Sequence, residues 1–281
     1  MQIAKVAGMM TAMTLILVAF GNYMGGSGGA ALFFVIAMGM NVFTYWFSDK
    51  AVLKMYKAKI IGPEDAPGLY QMVDRLRQRA ELPMPTVALA PSPQANAFAT
   101  GRNAQHAVVC VTLGLMNTLN ESELEGVIAH ELAHIKHRHM LVGTLAAGMA
   151  GAIGLFASIA KWGVILGTGR DDGDNNPFVL LLMAIVAPIA AMIVQMAISR
   201  QNEFQADATA ARIVGDPRGL MSALERIEAV AMRTPMQVQP AAAHLAIINP
   251  LSGDAGRGLK SLFRTHPPTE ERIAALAQVQ I

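Results

Sequence analysis

The stretch "SELEGVIAHELAHIKHRHMLVGTLAAGMAGAIG", residues 122–154, decides the fold class, because a charged, histidine-rich half runs directly into an apolar half. Asn120 is a candidate N-cap, and the glutamates at 121, 123 and 125 favour the positive end of a helix. No helix breaker occurs before residue 140. We therefore predict a polar helix that continues into a membrane span.

Four apolar stretches have about the length that suggests a membrane span. They cover residues 6–24, 30–47, 141–160 and 178–199. The chain is 53% hydrophobic and 15% charged, against about 25% charged residues in ordinary soluble domains. Cations follow the second span and flank the later two, whereas the "GGSGG" loop after the first span has no charge. The positive-inside bias therefore predicts that the N-terminus, residues 49–140 and residues 200–281 are cytoplasmic.

The region between the second and third spans predicts a helix followed by short strands. Apolar residues at helical spacing indicate a helix over residues 63–81, and "TVALA" and "AVVCVTL" are typical of strands. An extended peptide commonly binds along an edge strand through main-chain hydrogen bonds. We expect "ANAFATG" or "AVVCVTL" to be such an edge, with Asn96 and Ala97 in contact with the bound peptide. A simple turn between strands is the alternative interpretation of these two residues.

The motif His130-Glu131-x-x-His134 predicts a hydrolytic metal site. Residues four apart in a helix share one face, so the two imidazoles can bind one ion. Zinc accepts nitrogen and oxygen ligands in a tetrahedron, and a catalytic site leaves one position for water. Glu131 is then placed to act as the general base on that water.

Two histidines leave such a zinc ion short of one protein ligand. The metzincin pattern requires glycine at position 137 and histidine at position 140, where this chain has His137 and Met140. His137 is compatible by periodicity, although both His137 and His139 fit better at the membrane interface. Glu203 in "NEFQAD" is the stronger candidate, on a helix that we expect to continue from the fourth span. Asp207, one turn later, is placed to accept a hydrogen bond from a ligand histidine.

Three segments, "HELAH", "SRQNEFQADATAARI" and "THPPTEERIAAL", together resemble the HtpX-type bacterial membrane zinc metalloproteases, relatives of the integral-membrane CAAX prenyl proteases. The resemblance covers nearly the whole chain. It implies a gluzincin endopeptidase with one Zn²⁺ on His130, His134 and Glu203, and with Glu131 as the general base. It also implies that the substrates are misfolded or damaged membrane proteins of the bacterial inner membrane.

The last of these segments contains His266, which is placed to donate a hydrogen bond to the oxyanion that develops during attack. Local packing at a helix start is the alternative role for this histidine. The net charge of only +2 gives no indication of a nucleic-acid partner. A metal transporter is disfavoured because the four spans lack ionisable residues, and a scaffold protein would not need Glu131.

We predict a mainly α membrane protein, with four transmembrane helices and a cytoplasmic α+β zincin-like metallopeptidase domain that contains a small β-sheet. Residues 1–48 form the first transmembrane hairpin, and residues 49–140 form a catalytic part with the edge strands and the zinc helix. Residues 141–199 form the second hairpin, and residues 200–281 form the catalytic part with the third zinc ligand. The expected partners are the lipid bilayer and membrane-protein substrates.

Overall fold

The N-terminal part of the protein is a helical hairpin. The computed structural model describes residues 2–146, 149, 199–233 and 267–281. Helix α1, Gln2–Met55, is broken at Gly25 and Gly26, and the φ of 58° at Gly26 is one that glycine tolerates without strain. Its two arms, Gln2–Tyr23 and Gly25–Met55, are each long and apolar enough to cross a membrane. They contain the first two predicted spans, whereas most of the third and fourth lie outside the described residues.

The surface of this hairpin is largely apolar. Leu15, Val35 and Phe43 are each more than half exposed, as expected for side chains that face lipid. Between the arms, the Asn41 side-chain amide donates a 2.9 Å hydrogen bond to the hydroxyl of Thr14. A partly buried polar pair of this kind holds two apolar helices together.

A four-stranded sheet follows the hairpin. It contains β1 (Lys59–Ile61), β2 (Thr86–Ala90), β3 (Ala97–Thr100) and β4 (Val108–Thr112), in the order β1-β2-β4-β3. The β2–β4 pair is parallel and the other two pairs are antiparallel. The strands predicted from "TVALA" and "AVVCVTL" are confirmed, but β4 lies inside the sheet. Of the two candidate edges, only the segment that contains β3 is an edge strand.

The sheet lies between the membrane hairpin and the rest of the fold. Val87, Val109 and Val111 on one face pack into the main core together with helix α2 (Pro67–Arg79). Cys110 and Phe98 on the other face pack against the end of α1, where the rings of Phe98 and Tyr56 lie 4.6 Å apart. The same small sheet therefore contacts both the second membrane arm and the helical core.

The helix that contains His130 is shorter than the sequence suggests. A short helix, α3 (Leu113–Thr118), leads into α4 (Glu121–Lys136), which begins at a capping box formed by Asn120 and Glu123. The predicted N-cap is thus confirmed. The predicted continuation into the third span is wrong, because the backbone turns at residues 137–138. Arg138 adopts a left-handed φ of 58°, and a separate helix, α5, begins at residue 139 and is described to residue 146.

Three further helices complete the described core: α6 (Arg200–Val214), α7 (Arg218–Arg233) and α8 (Thr269–Leu276). Ser199 before α6 has extended backbone angles, so the predicted uninterrupted run from the fourth span into this helix is also wrong. Helix α7 approaches α4 closely at Gly126, where an added Cβ would lie 2.6 Å from the backbone nitrogen of Leu220. Helices α6 and α7 pack against α4, and α8 packs against α6 and α7.

Candidate metal centre

Two histidines of α4 and a glutamate of α6 converge on one point. The Nε2 atoms of His130 and His134 lie 3.0 Å apart, and carboxylate oxygens of Glu203 lie 3.7 and 3.6 Å from them. Donor atoms at tetrahedral positions around zinc, with bonds of about 2.0–2.1 Å, are separated by about 3.3 Å. The spacing of these three side chains therefore fits a single metal ion, since their ligand atoms all lie within 4.8 Å of one another.

The charge of the buried groups also fits a divalent cation. The side chains of Glu131, Glu203 and Asp207 are buried, and among the described residues of the site Arg272 is their one buried cation. Three carboxylates beside one guanidinium leave an excess of two negative charges. Because unpaired buried charge is costly, a divalent cation at this position would be strongly stabilised.

The structure places Asp207 behind His130. The Nδ1 atom of His130 lies 2.9 Å from Oδ1 of Asp207, on the side of the ring opposite the other two candidate ligands. This contact keeps the imidazole proton on Nδ1 and leaves the lone pair of Nε2 for a metal. Burial alone would lower the pKa of His130, but the hydrogen bond and charge of Asp207 raise it above the ordinary value of 6.5.

Arg272 of α8 in turn holds Asp207. Its Nε and Nη2 atoms donate hydrogen bonds of 2.8 and 2.7 Å to the two carboxylate oxygens, in the bidentate geometry typical of arginine. Burial would raise the pKa of Asp207, but the charge and hydrogen bonds of Arg272, with those of His130, lower it to about 2. Asp207 is therefore a permanent carboxylate at neutral pH. No local pattern in the sequence connects Arg272 with Asp207, so the sequence alone does not indicate this role.

The two histidines after the motif lie close to the candidate metal site, and their expected position at the membrane interface stays a prediction. His139 is buried, and its Nδ1 lies 3.1 Å from Nδ1 of His134. His137, the alternative third ligand, instead has its Nε2 atom 2.9 Å from the hydroxyl of Thr209 and its Nδ1 atom 3.3 Å from the amide nitrogen of Gln205. Burial lowers the pKa of both imidazoles, that of His139 to about 4, so both are neutral at pH 7.

Glu131, the candidate base, lies on α4 beside His130 and has 5% of its surface exposed. The negative charge of Glu131 also affects Cys110 on strand β4. Burial, followed by the charge of Glu131, raises the pKa of the Cys110 thiol to about 12.

The remaining predicted site residues are less closely connected with this centre. Asn96 directly precedes β3, Ala97 is its first residue, and both are buried. The main chain of Asn96 pairs with Thr112. Their contact with substrate stays a prediction. His266 lies outside the described residues.

Comparison with known proteins shows the family of this chain. Residues 63–280 match the family model described as Peptidase family M48. A protease HtpX homolog of Pelotomaculum thermopropionicum is 51% identical over 280 residues, which is 99% of each chain. A protease HtpX homolog of Gemmatimonas aurantiaca is 53% identical over 97% of each chain. The crystal structure of S. mikatae Ste24p aligns with 94% of this chain and 61% of its own length, at 16% identity and a TM-score of 0.48.

A histidine pair on one buried helix and a glutamate on a second form a cluster that could hold a metal ion, as a metallopeptidase requires. The chain belongs to peptidase family M48 and, within it, to the HtpX-type proteases. With its two apolar N-terminal helices it is a membrane metalloprotease.

Proposed function

We propose that this chain is a zinc endopeptidase that hydrolyses peptide bonds of misfolded or damaged membrane proteins. The observation that carries the proposal is the convergence of His130, His134 and Glu203 beside the buried carboxylate of Glu131. The substrate class comes from the family resemblance.

Each residue of the site has a distinct role in this proposal. His130, His134 and Glu203 would hold the ion, and bound zinc would supply a Lewis acid that lowers the pKa of the attacking water. Glu131 accepts a proton from that water and passes it to the leaving amine nitrogen. Asp207 keeps the tautomer of His130 fixed throughout, because Arg272 holds its carboxylate in the charged form.

Substrate binding is proposed at the β3 edge. The main-chain oxygen of Asn96 accepts a hydrogen bond from Thr112, and in an antiparallel ladder hydrogen-bonded residues alternate along the strand. The main-chain groups of Ala97 therefore point away from β4, the direction from which an extended peptide would pair. We further propose His266 as a donor to the oxyanion, on the basis of the sequence alone.

The proposed setting is the bacterial inner membrane, with the site on the cytoplasmic side. Two contacts support a position of the metal centre next to the bilayer. The side chain of Gln2, at the start of the first arm, donates a 3.4 Å hydrogen bond to Asn202, the neighbour of Glu203. Helix α5 packs through Val142 and Leu145 against the first arm. Two further spans, at 141–160 and 178–199, complete the proposed multi-pass topology.

The test of the proposed chemistry is a Glu131→Gln variant of the full-length protein, purified in detergent. We expect it to retain zinc and to lose cleavage of an unfolded protein such as casein. Glu125→Gln, on the same helix but paired with Arg75, is the matched control and should remain active. Undiminished cleavage by Glu131→Gln would overturn the mechanism. Loss of zinc from Glu203→Ala checks the third ligand, and full occupancy in that variant would remove Glu203 from the site.

A further inference from the structure

The two candidate histidine ligands are supported in different ways. A carboxylate contacts the remote nitrogen of His130, whereas another imidazole, that of His139, contacts the remote nitrogen of His134 at 3.1 Å. Of two facing imidazole nitrogens, one must donate and the other must accept. His134 needs the lone pair of Nε2 for a metal, so its proton is on Nδ1. His139 therefore accepts through Nδ1 and carries its own proton on Nε2.

Further polar contacts lead from His139 to helix α6, and their donors and acceptors can follow the same order as in the contact between His134 and His139. Against the larger effect of burial, which lowers the pKa of His139, the side chain of Gln205 raises it, as an acceptor for the imidazole N–H would. The amide nitrogen of Gln205 lies 3.3 Å from Nδ1 of His137, and Nε2 of His137 lies 2.9 Å from Oγ1 of Thr209. When His139 donates to the amide oxygen of Gln205, the amide nitrogen of Gln205 can donate to Nδ1 of His137. His137 then donates from Nε2 to the hydroxyl of Thr209. Every donor in this series meets an acceptor.

The turn after α4 makes this arrangement possible. In an uninterrupted helix, a residue five positions after His134 would point about 140° away from it around the helix axis. The helix instead ends at Lys136, and the left-handed backbone at Arg138 redirects the chain. The His139 ring consequently lies next to His134 and is only 7% exposed.

We propose that His139 is a positioning residue of the metal site, which accepts a hydrogen bond from His134 and so fixes its tautomer and ring orientation. Gln205, His137 and Thr209 hold His139 in the accepting tautomer. Because Gln205 and Thr209 lie on the helix that carries Glu203, the series also connects the His134 ligand with the third ligand's helix. This inference rests on the proposed metal site.

The experiment measures zinc affinity of the metal-depleted, full-length protein in detergent, by competition with a chelator of known affinity. His139→Leu keeps most of the volume but has no acceptor, and we expect it to bind zinc about 10–100-fold more weakly than the wild type. His139→Asn places an amide oxygen near the position of Nδ1, so we expect it to restore most of the affinity. His139→Gln carries its amide one bond further out and should not.

The Asn and Gln variants separate positioning from simple packing. Both are polar, and the thermal midpoint of the metal-free protein reports whether each is folded. Tighter zinc binding by His139→Asn than by His139→Gln supports the proposal even if the Leu variant does not fold. Wild-type affinity in His139→Leu, or equal affinities in the Asn and Gln variants, would overturn it.

Failure of the underlying metal site gives a different result. If the wild-type protein binds no zinc, or if Glu203→Ala binds zinc as tightly as the wild type, the proposed site itself is wrong. If the wild type binds zinc, Glu203→Ala releases it and His139→Leu has no effect, only the role of His139 is wrong.

Discussion

Arg272 donates hydrogen bonds to both carboxylate oxygens of Asp207, 65 positions earlier in the chain, and all of their polar contacts are buried. Asp207 in turn contacts His130 at 2.9 Å. Helix α8 therefore reaches the candidate metal site through Arg272, whose Nη1 atom also lies 4.0 Å from Oε2 of Glu203. The ion pair has two consequences that can be measured separately, one for metal affinity and one for stability.

We expect Asp207→Asn to weaken zinc binding by about 10–100-fold, because His130 loses its charged hydrogen-bond acceptor. It should also lower the free energy of unfolding by about 3–5 kcal/mol, because Arg272 loses its buried bidentate carboxylate partner. Chelator competition and denaturant unfolding measure the two effects. Asp216→Asn removes a carboxylate from an exposed pair with Arg218 and is the matched control. Similar mild effects of both substitutions would contradict the prediction.

Glu123 lies in the first turn of α4, at the opposite end from His134. We predict that its carboxylate makes the stability of the fold depend on pH. Burial disfavours its charge, but the Ser222 hydroxyl at 2.6 Å, the Asn120 backbone amide and Arg226 together lower the pKa of Glu123 below 4.5. A carboxyl group whose pKa is lower in the folded state than in the unfolded state stabilises the fold at a pH above its unfolded-state pKa. This stabilisation is lost as the pH falls through the folded-state pKa.

The thermal midpoint of the wild type should therefore exceed that of Glu123→Gln at pH 6, and the difference should shrink as the pH falls from roughly 6 to 3. The comparison is made on metal-free protein, so that release of the metal does not contribute. A difference that stays constant over this pH range would show that the Glu123 carboxylate does not contribute through its charge.

Gly126 should not tolerate a methyl group, although it lies within a helix. Alanine normally stabilises a helix interior by about 1 kcal/mol relative to glycine. At Gly126, however, the added Cβ would lie 2.6 Å from the backbone nitrogen of Leu220, so α7 must move away from α4. We expect Gly126→Ala to lower the thermal midpoint. Gly68→Ala in α2, where nothing lies within 4 Å, should not lower it.

The left-handed backbone at Arg138 gives a prediction about the turn after the metal-binding helix. Glycine has no steric penalty at the φ of 58°, whereas a β-branched residue is strongly disfavoured there. We expect Arg138→Gly to raise the free energy of unfolding and Arg138→Val to lower it, each by about 1 kcal/mol. Denaturant unfolding measures both. The prediction fails if valine is as stable as glycine at this position.

Local patterns in the sequence predict much of the local structure. The Asn120 cap, the strands at 86–90 and 108–112 and the two N-terminal apolar helices are all present. These features depend on residues a few positions apart, which cap one helix, alternate along one strand or form one apolar run. The His130–His134 spacing belongs to this class as well, since a single helix places both rings on one face.

The sequence does not predict features that depend on an unusual backbone or a distant partner. The turn that ends α4 contains no glycine or proline, so the left-handed Arg138 has no sequence signal. The displaced position of His139 follows from that turn. The contact of Arg272 with Asp207 depends on how α8 packs against α6, which no periodicity within either helix specifies.

The position of Arg272 on α8 makes the metal centre depend on the docking of a third helix. Helices α4 and α6 carry the three candidate ligands, but the guanidinium that keeps the support of His130 charged and oriented comes from α8. A chain in which α4 and α6 have packed and α8 has not yet docked therefore lacks the last support of the centre.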